Sequence, residues 1–105
     1  MKDRVTAAVQ DYLKAIHTLG GVDRAVPPVD IANELKVRAP SVSGMLRRLA
    51  DAGLIRYEVG KGARLTDTGI AQARRVIRRH RLLVLFLTRV LGLAWSEVDA
   101  EAEAL

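Results

Sequence analysis

The stretch VDIANELKVRAPSVSGMLRRLADAGLIRYE, residues 29–58, contains two short amphipathic segments separated by a three-residue turn. The first predicts a helix over 29–35 and the second a helix from Ala39 or Pro40 to about residue 52. Gly53 ends the second helix, and residues 54–59 have the composition of a strand. The apolar positions at helical spacing are Ile31, Ala32 and Leu35 in the first helix and Val42, Met45, Leu46 and Leu49 in the second.

The flanking sequence completes a recognisable order of elements. Upstream, apolar residues at helical spacing predict a first helix over 2–19, followed by the loop GGVDRAVPP (20–28), since the two prolines cannot continue a helix. Downstream, a turn at 60–62 leads to a second strand at 63–65, and Thr66 or Asp67 caps a fourth helix over 67–91 that ends at Gly92. A last, acidic helix begins at Ser96.

Helix, turn, helix and a two-stranded hairpin is the order of a winged helix-turn-helix, so we expect a mainly α fold with a small β-hairpin. The predicted domains are a winged helix-turn-helix DNA-binding domain over 1–66 and a long linking helix with part of a second domain over 67–105.

Charge is unevenly distributed along the 105 residues, whose formal net charge is +5. From Lys36 to Arg81 there are twelve lysines and arginines against three acids, a net charge of +9, whereas residues 96–105 hold four acids and no base. A basic excess of this size favours a polyanion as partner, and double-stranded DNA is the natural one. No basic amphipathic helix with an aromatic face points to a membrane surface.

The second helix of the pair presents a polar side opposite its apolar stripe. Small side chains near its start allow close approach to base edges, and two arginines one turn later can reach phosphates or guanines. In the hairpin, a lysine at the tip and an arginine beside it can contact a minor groove or its phosphates. The predicted DNA-binding residues are Arg38, Ser41, Ser43, Gly44, Arg47, Arg48, Lys61 and Arg64.

Other function classes fit the residue inventory less well. There is no cysteine, no Ser-His-Asp arrangement and no phosphate-binding loop, so we expect neither an enzyme nor a small-molecule substrate. The absence of cysteine, of a signal peptide and of an apolar run longer than Leu82–Leu87 favours a soluble cytoplasmic protein. A winged helix that binds other proteins remains an alternative, although such modules usually lose the basic face.

The apolar run near the end of the fourth helix covers every side of it. One small domain can hardly bury such a surface, so we expect a twofold homodimer formed by the end of this helix and the last helix. The residues are Leu82, Leu83, Leu85, Phe86 and Leu87.

Several motifs, in this order, resemble the metal-dependent repressors of the diphtheria-toxin-repressor and manganese-transport-regulator type. They are DYLKAI (11–16), the stretch 29–58, GARLTDTG (62–69), RRHRLLVLFL (78–87) and LGLAWSEVDAEAEAL (91–105), and they span essentially the whole chain. The resemblance implies a homodimeric repressor that binds a palindromic operator when Mn(II) or Fe(II) is bound. It also implies that residues 67–105 begin a helical metal-binding and dimerisation domain, which continues past residue 105 in the family.

The family's motifs map the regulatory metal ligands onto Asp11, His80 and Glu103. Two carboxylates and an imidazole suit Mn(II) or Fe(II). Two departures weaken the match: Lys14 stands where manganese-type members have a carboxylate, and Val84 and Asp99 replace ligands of the iron-type ancillary site.

The family's next two ligands, a Glu and a His, would follow residue 105. We therefore expect weak metal binding by these 105 residues. A metal-independent winged-helix DNA binder is the alternative function.

Overall fold

A computed structural model of the chain, which describes residues 6–92, confirms the mainly helical fold with a small hairpin. The chain consists of two compact units, Met1–Arg74 and Arg75–Leu105. The predicted helix from Ser96 lies outside the described residues. The elements are α1 (Ala7–Thr18), α2 (Pro28–Leu35), α3 (Ala39–Asp51), β1 (Ile55–Glu58), β2 (Gly62–Leu65) and α4 (Asp67–Leu91).

Two helix starts differ from the prediction. Helix α1 begins at Ala7, because Thr6 is extended and its hydroxyl accepts a hydrogen bond from the Val9 N–H at 3.2 Å, capping the helix there. The predicted start at residue 2 was therefore wrong, and residues 2–5 lie outside the described part. Helix α2 begins one residue early, at Pro28, because a proline in the first turn has no N–H to leave unpaired.

The turn between α2 and α3 lies where it was predicted. Lys36 adopts the left-handed conformation, with φ 58° and ψ 47°, and the Val37 N–H donates to the Ala32 carbonyl at 3.1 Å. Pro40 then occupies the first turn of α3, as expected from its sequence. This short connection sets α3 against α2.

The hairpin is wider than predicted, because a third segment pairs with it. Strands β1 and β2 are antiparallel, and Val26 forms a two-way backbone pair with Ala63, at 2.8 and 2.9 Å. The loop before the two prolines therefore holds a buried extended residue, which its sequence did not reveal. Gly62 has φ 135°, and a Cβ there would overlap the Val26 carbonyl, so this position needs glycine.

The first unit has one hydrophobic core, to which all of its elements contribute. Helix α1 packs on α2 and β2, α2 on α3, and α3 on β1. Each fully buried aliphatic side chain stabilises the fold by about 1.5–3 kcal/mol. The largest are Leu13, Ile16, Val26, Ile31, Val42 and Leu49.

In the second unit, the apolar end of α4 is only partly covered. Val84 and Leu87 are buried and pack with Leu83, whereas Leu82 is 58% and Phe86 55% exposed. Among the described helices, none is long and apolar enough to cross a membrane.

Thr66 links the turn that follows α3 to the start of α4. Its hydroxyl donates to the Gly53 carbonyl at 2.7 Å and accepts from the Gly69 N–H at 3.0 Å, and its own N–H donates to the Leu54 carbonyl at 3.1 Å. Of the two residues predicted to cap the start of α4, Thr66 is the one that does so, and Asp67 is the first residue of the helix.

Thr66→Ala should lower the free energy of unfolding by about 1–2 kcal/mol, because it removes a helix cap. Thr66→Ser keeps the hydroxyl and should stay within about 0.5 kcal/mol of the unaltered protein. Urea unfolding followed by circular dichroism measures both. An Ala variant as stable as the Ser variant would show that the hydroxyl contributes little.

Candidate nucleic-acid interface

Helix α3 has two distinct sides. Val42, Leu46 and Leu49 are buried in the core, so the opposite side must face solvent. All five residues predicted to meet DNA on this helix are exposed: Ser41, Ser43, Gly44, Arg47 and Arg48.

Gly44 leaves open space on this side of α3. A Cβ built at this position would have no atom within 4 Å apart from its chain neighbours and the backbone of its own helix, so glycine is not required there by packing. Glycine costs about 1 kcal/mol relative to alanine inside a helix. A glycine that the protein interior does not need is consistent with a surface that another molecule approaches closely.

The predicted contacts outside α3 are also accessible. Arg38 precedes α3 at its N-cap position and is exposed, and Lys61 is exposed in the turn between β1 and β2. Arg64 is half-buried on β2. The first unit thus carries basic side chains at the start of α3, along α3 and on the hairpin.

The strand register brings a further arginine into this set. Arg56 on β1 is directly opposite Arg64 on β2, so the two side chains emerge on the same face of the hairpin. Like charges in this position repel, and a bound anion would relieve the repulsion. Arg56 belongs to the basic segment of the sequence but was not predicted as a contact residue, because its neighbour across the sheet depends on the register.

A groove of about 330 Å³ runs beside the exposed side of α3. Tyr57 of β1 is 47% exposed and forms one wall. Asp51 places a single carboxylate at the end of α3, where it would repel phosphates. The groove is lined by Pro28, Ser43, Leu46, Arg47, Ala50, Asp51 and Tyr57.

The predicted metal ligands are distributed over the chain. Asp11 is exposed on α1, whose neighbouring Tyr12 is buried in the core, where burial raises the pKa of the phenol. His80 is half-buried on α4, in the second unit, and Glu103 lies outside the described residues. Residues 6–92 by themselves contain no group of three or more potential metal ligands. Asp11, His80 and Glu103 therefore remain a predicted set.

Two family models together match nearly the whole chain. Residues 4–63 match the N-terminal DNA-binding domain of the iron-dependent repressors, and residues 66–105 match their metal-binding and dimerisation domain. The chain belongs to the iron-dependent repressor family. This membership confirms the resemblance found in the sequence, and the family consists of DNA-binding regulators rather than enzymes.

Some of the relatives are named as iron-dependent and others as manganese-dependent. The iron-dependent repressor IdeR of Mycobacterium leprae is 39% identical over 93 residues, which are 87% of this chain and 40% of that protein. The transcriptional regulator MntR of Listeria welshimeri is 31% identical over 95% of this chain and 70% of that protein. A solved manganese-dependent transcriptional repressor in complex with manganese has a TM-score of 0.77 and 40% identity, over 90% of this chain and 43% of that one. The chain thus spans less than half the length of two of these three relatives.

Replacing Arg47 or Arg48 with alanine should weaken binding to DNA. If the arginine contacts a base, the binding free energy should weaken by about 1–3 kcal/mol. If it binds a phosphate, the slope of log K against log salt should decrease in magnitude by about 1. Fluorescence anisotropy on duplex DNA at several KCl concentrations measures both quantities. Arg89→Ala, an exposed arginine on α4, is the control. If neither variant changes affinity or slope, α3 does not read DNA.

Gly44→Leu should separate folding from DNA binding. The side chain has room in the free protein, and the helix should gain stability of up to about 1 kcal/mol. We expect DNA affinity to fall by at least about tenfold, or ~1.4 kcal/mol, because the added atoms keep α3 away from the base edges. Gly44→Ala, which adds one methyl, should bind better than the Leu variant. Equal DNA affinity for the Leu variant and the unaltered protein would contradict a close approach at this position.

Proposed function

We propose that this chain is the DNA-binding and metal-responsive part of a transcriptional repressor that acts as a homodimer on a palindromic operator and responds to Mn(II) or Fe(II). The observation that carries the proposal is the exposed polar and basic side of α3, in a chain that both domains of the iron-dependent repressor family match. Its predicted site of action is the cytoplasm.

In the proposed complex, α3 enters the major groove. Its N-terminal residues Ser41, Ser43 and Gly44 meet base edges, and Arg47 and Arg48 bind guanines or phosphates. The hairpin contacts the neighbouring backbone or minor groove through Lys61 and the cross-strand arginines Arg56 and Arg64. Arg38, at the start of α3, binds a phosphate.

The proposed metal ligands are Asp11, His80 and Glu103. Carboxylate oxygens and an imidazole nitrogen form a donor set that suits Mn(II) and Fe(II) better than softer metals. The absence of cysteine from the chain agrees with this preference. A bound divalent cation would supply positive charge that neutralises the two carboxylates. Lys14 stands where manganese-type members have a second carboxylate, which disfavours a two-metal manganese centre.

A dimer fits the exposed apolar surface of α4. Leu82, Leu85 and Phe86 are exposed on this helix, and the family model over residues 66–105 is named for dimerisation. A twofold dimer would place two copies of α3 about 34 Å apart, one turn of DNA. The twofold symmetry of the dimer is the reason why a palindromic operator is expected, and the spacing sets the distance between its two half-sites.

The decisive experiment compares DNA binding with and without metal. Duplexes selected by this protein from a random-sequence pool in Mn(II) are titrated in Mn(II), in Fe(II) and in EDTA. We expect metal to increase affinity for the selected duplex and to leave affinity for a scrambled duplex unchanged. A metal ion can shift the protein toward the conformation that binds the operator only if it binds that conformation more tightly than the other. Equal affinity in EDTA would indicate the metal-independent DNA binder, and no binding at all would favour a protein-interaction module.

His80→Ala should reduce Mn(II) affinity by at least about tenfold in isothermal calorimetry, since it removes the only nitrogen ligand proposed. His17→Ala is the matched control, because His17 is the other histidine of the chain and lies on α1. The two variants should differ in metal binding but not in affinity for the scrambled duplex. Equal Mn(II) affinity for the two variants would remove His80 from the ligand set.

A further inference from the structure

A second concentration of positive charge is found on helix α4, in the second unit. Residues 75–92 contain five arginines and no acidic side chain. Four of these arginines fall within two turns and are exposed. We name Arg75, Arg78, Arg79 and Arg81 the α4 arginine face.

These arginines are close neighbours on one broad side of the helix. Arg75 is three residues from Arg78 and four from Arg79, and Arg81 is three from Arg78, the spacings at which helical side chains meet. Like charges at these spacings destabilise a helix. Residues 75–92 contain no acid, so within this stretch of the helix no opposite charge offsets the repulsion, and a bound anion would relieve it.

We propose that the α4 arginine face binds the phosphate backbone of duplex DNA, as a contact separate from α3 and the hairpin. The proposal rests on the DNA-binding function above and extends it to the second unit. From residue 75 to residue 81 the helix rises about 9 Å. On each strand, duplex DNA carries one charge per about 3.4 Å of axis, so a segment of that length presents about three phosphate charges on one strand. The four guanidinium groups are enough to neutralise them.

The arrangement of apolar residues favours DNA over a membrane surface. A helix that lies in a bilayer interface has its apolar face opposite the basic one along its length. Here, Val76 and Ile77, between the arginines, are half-buried, so they are not free to enter a bilayer. The exposed apolar residues, Leu82, Leu85 and Phe86, follow the arginines along the axis.

Contacts between arginine and phosphate do not depend on the base sequence of the DNA, so the α4 arginine face should add affinity for any duplex. It should therefore strengthen binding to scrambled DNA as much as binding to a selected operator. This property distinguishes it from α3, whose residues are expected to discriminate between sequences.

The test is the salt dependence of binding to a scrambled duplex of about 40 base pairs, measured by fluorescence anisotropy on the full 105-residue chain. The triple variant Arg75→Gln, Arg78→Gln, Arg79→Gln should lower the slope of log K against log salt by about 2–3, or ~0.9 for each phosphate that the variant no longer neutralises. The matched control replaces the same three residues with lysine, which keeps the charge. Its slope should equal that of the unaltered protein. Thermal melting by circular dichroism verifies that both variants fold.

The outcomes separate this proposal from the function on which it rests. If the unaltered protein binds neither this scrambled duplex nor the duplex selected in Mn(II), the proposed function fails. If it binds DNA and the Gln variant has an unchanged slope, the α4 arginine face does not touch DNA, while the role of α3 stands. If the Gln variant keeps its slope but no longer binds phosphatidylserine vesicles, the partner is a membrane surface and the proposal is overturned.

Discussion

The packing of the α3 stripe into the core is the interaction on which the rest depends. Val42 and Leu49 are fully buried, and Leu46 nearly so, which sets the rotation of the helix about its own axis. A rotation by half a turn would bury Arg47 and Arg48 without partners, at a cost of several kcal/mol each, which is comparable to the whole stability of a small domain. The hydrophobic effect therefore decides which residues of α3 can meet another molecule.

Backbone pairing around the hairpin supports this arrangement. The two-way pair between Val26 and Ala63 ties the chain before α2 to β2, and the Thr66 hydroxyl connects the turn after α3 to the first turn of α4. These bonds hold α2, α3 and the hairpin in one unit.

Positive charge recurs on three surfaces: the exposed side of α3, the hairpin with Arg56 opposite Arg64, and the α4 arginine face. Each surface carries like charges at neighbouring positions, which is unfavourable in the isolated protein. All three would gain from contact with the same polyanion. The acidic residues of 96–105 are kept apart from them in sequence and supply a carboxylate to the metal site that we propose.

Local patterns in the sequence determined much of this protein. Periodicity, prolines and glycines predicted α3, the turn at Lys36, the two strands and both ends of α4, because each depends on residues a few positions apart. The exposure of Ser41, Ser43, Gly44, Arg47 and Arg48 followed from the same periodicity. Only the tertiary structure decided which residues are neighbours: it pairs Val26 with Ala63, sets Arg56 beside Arg64, and places Tyr57 on the wall of the groove. Val26 and Ala63 are far apart in the chain, so no local pattern encodes their pairing. The register that sets Arg56 beside Arg64 depends on the geometry of the turn between the strands, which the residue pattern alone did not specify.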